Sequence, residues 1–308
     1  MPAWALGLMR RIATDKRTTL DRLWLEPSAV LAAGGMLADS WQAEVLGSHA
    51  ERIILLCSRQ VGKSTVAAAC ALKTALLEAP ALVLVVSPSE RQSGELMHKI
   101  RGFYAAMQQK ASGQGGPGRV FSWYEKQTIE ASKDDQWLQM PATVRESALQ
   151  IHMANGSRII GLPGSESTIR GYSGVSLLIV DEASRVADDL YRAVRPMLAT
   201  SHGRLMALST PFGKRGWFYE AWSGNETWHR LQLQATQCPR ITAKFLAEER
   251  KSLGARWYAQ EYGCSFEDVA DAVFSYADIQ AALVDDDDIM FAEAAGEPVN
   301  RIASVDAW

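Results

Sequence analysis

The stretch Ile53-Ile54-Leu55-Leu56-Cys57-Ser58-Arg59-Gln60-Val61-Gly62-Lys63-Ser64-Thr65 decides the fold. An unbroken apolar run passes into a short polar loop and then into an Ala- and Leu-rich stretch that reads as a helix from Ser64 to Ala79. Apolar residues at every position, rather than at alternate ones, predict a strand buried on both faces. Between such a strand and a helix, backbone N–H groups and the positive end of the helix dipole form a cradle for phosphate. Gly62 lets the backbone approach closely, Lys63 supplies a charge to the outer phosphates, and the Ser64 hydroxyl is a candidate Mg²⁺ ligand. Ser58, Arg59, Gln60 and Thr65 complete the nucleotide-binding stretch. The usual motif opens on Gly; here Cys57 takes that place, so the loop is a deviant form.

Outward from the loop, a second apolar run, Ala81 to Val86, is stopped by Ser87-Pro88-Ser89. Strand, helix and strand within about 35 residues make a βαβ unit, which predicts a parallel sheet. Further strands are expected at about 157–161, 177–180 and 204–208, and helices at about 90–109 and around Tyr191, Val194 and Leu198. After Gln237 the pattern is helical, with Ile241, Phe245, Leu246 and Leu253 on one face and a break at Gly254. Gly113 to Gly118 interrupts the chain, and the region to about 150 is poorly patterned. The expected fold is α/β: a P-loop NTPase of the RecA-like ASCE type, with helices on both faces of a parallel sheet and a small helical lid. The expected divisions are an N-terminal helical segment (1–50), the core (51–235), the lid (236–275) and an acidic tail (276–308).

Two more strand ends carry chemistry. Leu177-Leu178-Ile179-Val180 ends on Asp181-Glu182, where Asp181 is placed to hold Mg²⁺ and Glu182 to orient and deprotonate a water. Asp followed by Glu points to a helicase-like or translocase hydrolase rather than a kinase. The absence of an Asn-Lys-x-Asp signature favours ATP over GTP. Ser209-Thr210-Pro211 ends a third strand, where small hydroxyls can touch the outer phosphate and relay its loss.

Charge gives the remaining bounds. The formal charge of −3 conceals an asymmetry: residues 265–308 hold eleven acids and one base, and the other residues 31 bases and 24 acids. A basic body suits a polyanionic partner. Cys57, Cys70, Cys238 and Cys264 form no CxxC pair and predict no structural zinc. No apolar run approaches the ~20 residues that span a bilayer. The apolar start, Met1 to Met9, has its charges (Arg10, Arg11) after it, the reverse of a secretion signal, so a non-secreted protein is expected.

Taken in order, these stretches resemble the large terminase subunit of tailed bacteriophages, the ATP-driven DNA packaging motor. The resemblance rests on Trp41-Gln42, the loop Ser58 to Thr65 with Arg inside it, Asn155-Gly156-Ser157, Ile169-Arg170-Gly171, and Ile179 to Ala183. It continues through Ser209 to Gly213, Gly216 to Tyr219, and Glu261 to Phe266, spanning roughly residues 35–275. It implies that Gln42 recognises adenine and that Arg59 senses or stabilises the outer phosphate. Lys63, Ser64 and Asp181 would hold MgATP, Glu182 would activate water, and Ser209 and Thr210 would couple hydrolysis to movement. Arg170 is a second candidate finger. Arg91 and Gln92 are similar to the DNA-contacting loop of related translocases.

The implied partners are double-stranded DNA, a small terminase subunit, a portal and procapsid, and further copies of the chain in a ring, in the host-cell cytoplasm and away from membranes. Family members carry a C-terminal nuclease with clustered carboxylates. Here Arg301 to Val305 matches only its first strand, with Asp306 as a lone ligand, and a two-metal site needs several. No nuclease activity is expected from this chain. Two alternatives stay open: another P-loop DNA translocase or helicase-like ATPase, and a nucleotide-binding prophage remnant without motor activity.

Overall fold

The computed structural model describes residues 19–111, 140–163, 171–199 and 201–267. Three helices lead in: α1 (Thr19–Leu25), α2 (Ala29–Ala33) and α3 (Ser40–Gly47). They are followed by β1 (Arg52–Cys57), α4 (Lys63–Leu77), β2 (Leu82–Ser87) and α5 (Glu90–Ala111). Next come β3 (Thr143–Ser147), β4 (Gln150–Met153), β5 (Arg158–Pro163) and β6 (Leu177–Asp181). The remainder is α6 (Asp188–Val194), β7 (Arg204–Ser209), α7 (Gly216–Ser223), β8 (His229–Leu233) and α8 (Ala243–Glu261). The strands form one sheet in the order β3-β4-β5-β2-β6-β7-β1-β8. Pairing is parallel from β5 through β8, and antiparallel only where β3 meets β4 and β4 meets β5.

The continuous apolar runs are explained by burial on both faces. Ile53, Leu55, Val83, Val85, Ile179 and Leu208 pack on one side with α3, α4 and α5. Ile54, Leu56, Leu84, Val86, Val180 and Ala207 pack on the other, against Leu190, Trp217 and Phe218. The expected α/β fold, with helices on both faces of the sheet, is therefore present. Pro196 ends α6 by removing a backbone donor, and the chain passes there into a 3₁₀ turn, Arg195–Leu198.

Three strands lie outside the sequence reading. β3 exposes four of its five residues, and β4 alternates over only four, too short a window for a period. β8 is an edge strand of mixed polarity. The expected apolar face of the last helix is also corrected. Leu246 is buried, but Phe245 and Leu253 are 41% and 38% exposed; the expected break at Gly254 is present as a non-helical kink (φ 74°), beyond which helix resumes to Glu261. The described residues through Phe266 cluster as one unit. The acidic tail with Asp306, the segment Gly113 to Gly118, Arg170 and the N-terminal apolar stretch lie outside the described residues. Among the described residues no helix is long and apolar enough to cross a membrane.

Candidate nucleotide site

The sheet brings the sequence motifs to one edge. β1 and β6 both flank β7, with Leu55 and Asp181 each in register with Leu208, so Cys57, Asp181 and Ser209 end neighbouring strands. Cys57 is the last residue of β1 and pairs with Leu233 in extended conformation. An extended backbone accepts a side chain, so Gly is not required there. Burial pushes the Cys57 thiol well up from its ordinary value, and it stays uncharged beside the loop.

The loop is anchored at its entrance. Ser58 N–H donates to Leu233 O (2.8 Å) and Arg59 N–H to Glu261 O (3.0 Å). Beyond that point the amides of Gln60 through Ser64 have no acceptor among the described residues. Gly62 stands at φ 97°, at the head of α4, and a Cβ there would lie 2.9 Å from Gln42 Nε2. A run of unpaired N–H groups at a helix start is a cradle for an anion. The Ser64 hydroxyl also lacks a partner among the described residues.

Lys63 Nζ lies 2.8 Å from Glu182 Oε1. Asp181 is buried and accepts the Glu182 N–H at 3.0 Å. Burial, and after it the neighbouring Glu182 charge, raise the Asp181 carboxyl to about 6, with Lys63 acting in the opposite direction. Ser87 follows Val86, the register partner of Val180, at the end of the adjoining strand, and its buried hydroxyl has no partner among the described residues. Asp181, the Ser64 hydroxyl and the orphaned Ser87 hydroxyl suit Mg²⁺, which takes few carboxylates and completes its shell with phosphate and water. Among the described residues, no group of three or more His, Cys, Asp and Glu side chains could hold a metal ion.

Gln42 is buried in α3. Its Oε1 accepts from Asp39 N–H (3.0 Å), which leaves the amide nitrogen facing Gly62. α3 is held to α4 by Lys73, whose ammonium donates to Leu46 O and whose pKa is lowered by burial. Arg59 does not lie free in the loop: its Nε donates to the Glu261 carboxylate, a bond that raises the guanidinium's pKa. Ser209 and Thr210 are buried, and Ser184 Oγ bridges them, 2.7 Å from Ser209 Oγ and 2.9 Å from Thr210 O. At the start of α5, Gln92 Oε1 accepts from Ser89 Oγ (2.9 Å) and the Gln92 N–H donates to the same hydroxyl (3.4 Å).

Three residues of this arrangement escaped the sequence reading. Glu261 opens one motif stretch and Ser184 directly follows another, but nothing in sequence announces their partners. Arg240 has no local signal at all. It holds Asp39 with two bonds (2.9 and 2.7 Å) and donates to Val61 O at 3.2 Å, tying the segment after β8 to both α3 and the loop.

A family model described as terminase large subunit, T4-like-virus type, N-terminal, matches residues 54–281. The ATPase domain of the large terminase of Thermus phage P74-26, in an arginine-to-alanine variant, superposes with a TM-score of 0.57 at 18% identity, covering 78% of this chain and 97% of that one. The large terminase of a second phage, a thermophilic bacteriophage, superposes with a TM-score of 0.50 at 11% identity, over 74% of this chain and 53% of that one. This chain thus spans about half of that second terminase. No curated protein sequence matches it.

Proposed function

The chain belongs to the terminase large subunit family of the T4-like-virus type, in its N-terminal part, and on that premise we propose that it hydrolyses ATP to drive double-stranded DNA into a procapsid. The observation that carries the ATPase reading is the Lys63–Glu182 pair beside the unpaired amides of Gln60 to Ser64. In this reading those amides and Lys63 receive the phosphates, and Lys63 exchanges Glu182 for the outer phosphate. Glu182, released, orients a water and takes its proton. Asp181 and Ser64 hold Mg²⁺, which when bound neutralises phosphate charge. Gln42 reads the adenine edge with the amide nitrogen that faces the loop.

Arg59 shares one guanidinium between two anions. With the outer phosphate present it leaves Glu261, and because Glu261 closes α8, the exchange reaches the lid (236–275). Ser184 carries the same event from Glu182 to Ser209 and Thr210. Positioning and fixed charge supply the acceleration. DNA is gripped by its backbone, as a motor indifferent to sequence requires. The proposed setting is the host cytoplasm, in a ring of copies with a small terminase subunit and a portal. DNA cleavage is not assigned to this chain.

Phosphate release from ATP, measured with and without duplex DNA, tests the proposal. Strong stimulation by duplex is expected, and Glu182→Gln should bind ATP without turning it over. Binding without hydrolysis in the unaltered chain would identify a nucleotide-binding module instead.

A further inference from the structure

Two arginines share one aromatic ring at the catalytic edge of the sheet. The guanidinium carbon of Arg185 lies 4.0 Å from the centroid of Phe212, and that of Arg215 lies 5.3 Å from it. Both arginines are exposed, and the ring is half-buried. A guanidinium over an aromatic face is held in place while its N–H fork remains available to a second partner. The nearest carboxylates in sequence are engaged elsewhere: Glu182 with Lys63 at 2.8 Å, and Asp188 with Trp217 N–H at 2.9 Å. Among the described residues neither arginine has a carboxylate within 4.0 Å. Among the described residues, two positive charges therefore share one platform without an ion-pair partner.

The platform is joined to the nucleotide site on both sides. Arg185 N–H donates to Glu182 O at 2.9 Å, and its neighbour Ser184 bridges Ser209 and Thr210. Phe212 follows Thr210 by two residues. Whatever moves Glu182 or Thr210 moves the cations and their ring together. The geometry points to Arg185 and Arg215, carried on Phe212, as a grip on the phosphodiester backbone of duplex DNA. Regularly spaced, sequence-independent charge is what such a pair can hold, and bidentate arginine suits phosphate oxygens. The inference rests on the DNA reading proposed above and assigns it a place.

The test is a salt titration of binding between the full chain and a short fluorescent duplex of arbitrary sequence. Each phosphate contact contributes about −0.9 to the slope of log K against log salt. Arg185→Ala with Arg215→Ala should make the slope shallower by about 1 to 2 units. Arg185→Lys with Arg215→Lys should recover most of the slope by restoring charge. Should the alanine pair melt early, Arg185→Gln with Arg215→Gln, which keeps a planar group on the ring, carries the same expectation. An unchanged slope alongside normal wild-type binding overturns the grip and leaves the packaging reading standing. An unchanged slope with lost ATP turnover also overturns it, and directs the arginines to a neighbouring copy's nucleotide. Absence of wild-type binding at every salt concentration overturns both.

Discussion

Lys63 and Glu182 neutralise each other across 2.8 Å at the mouth of the phosphate loop, one from the first turn of α4 and one just past the end of β6. Both are largely shielded, with side-chain exposures of 12% and 21%, so neither charge is idle. The ammonium that should greet a phosphate and the carboxylate that should activate water each occupy the other until nucleotide arrives. Substitution of Glu182 thus touches only the second of these roles. Glu182→Gln should retain ATP binding, since Lys63 is released, while turnover falls by about 10²- to 10⁴-fold, the usual worth of a general base. Equilibrium nucleotide binding together with steady-state phosphate release separates the two, and near-normal turnover would remove Glu182 from the base role.

Asp181 gives the chain a pH signature. Its carboxyl is raised from 3.8 to about 6 by burial, so the folded state holds its proton more tightly than the unfolded one. The associated stability is present below about pH 4 and is lost as pH rises to about 6, a change of at most about 3 kcal/mol. Asp181→Asn cannot titrate. Melting temperatures of the two proteins should therefore diverge across this window, with the wild type losing ground as pH rises. A constant gap between them would contradict the raised pKa.

The Arg59–Glu261 pair joins a half-exposed guanidinium to a buried carboxylate. Removing the cation alone strands the carboxylate, so Arg59→Ala should destabilise more than its surface position suggests. Glu261→Gln in the same chain should relieve much of that loss. Urea midpoints of the two single variants and the double variant close the cycle, with a coupling of roughly 0.5–3 kcal/mol expected. Additive effects would show that the contact carries little energy.

Gly62→Ala should cost about 1–2 kcal/mol for the left-handed backbone alone. It should also weaken ATP binding, because the new methyl would meet Gln42 Nε2 at 2.9 Å. Combining it with Gln42→Ala removes that collision but not the backbone strain. Because that change also removes the amide that reads adenine, thermal scans should show part of the stability returning, while titration calorimetry finds ATP binding still weak.

The parts that sequence disclosed share one physical trait. β1, β2, β6 and β7 are covered on both faces, so their interior positions form unbroken apolar runs and the strand declares itself. Asp181, Glu182, Ser209, Thr210 and the loop follow immediately, so their place was set once the strands were found. β3 and β8 lie at the sheet's two edges and keep polar residues, and β4, next to β3, is only four residues long. Arg59–Glu261 and Asp39–Arg240 join residues 202 and 201 positions apart. Such pairs obey no local period; they exist because β8 runs beside β1 and returns the chain to the loop.

That return governs when the pocket can come into being during synthesis. Ser58 and Arg59 are tied by their amides to Leu233 and Glu261, residues that leave the ribosome long after the loop itself. A nascent chain that has emerged only through α7 has its helix and loop sequence complete but lacks both anchors. Contacts of such separation form slowly and late. Nucleotide affinity should therefore be absent from shorter nascent chains and arise once Glu261 has cleared the exit tunnel, so that a half-made chain holds no nucleotide.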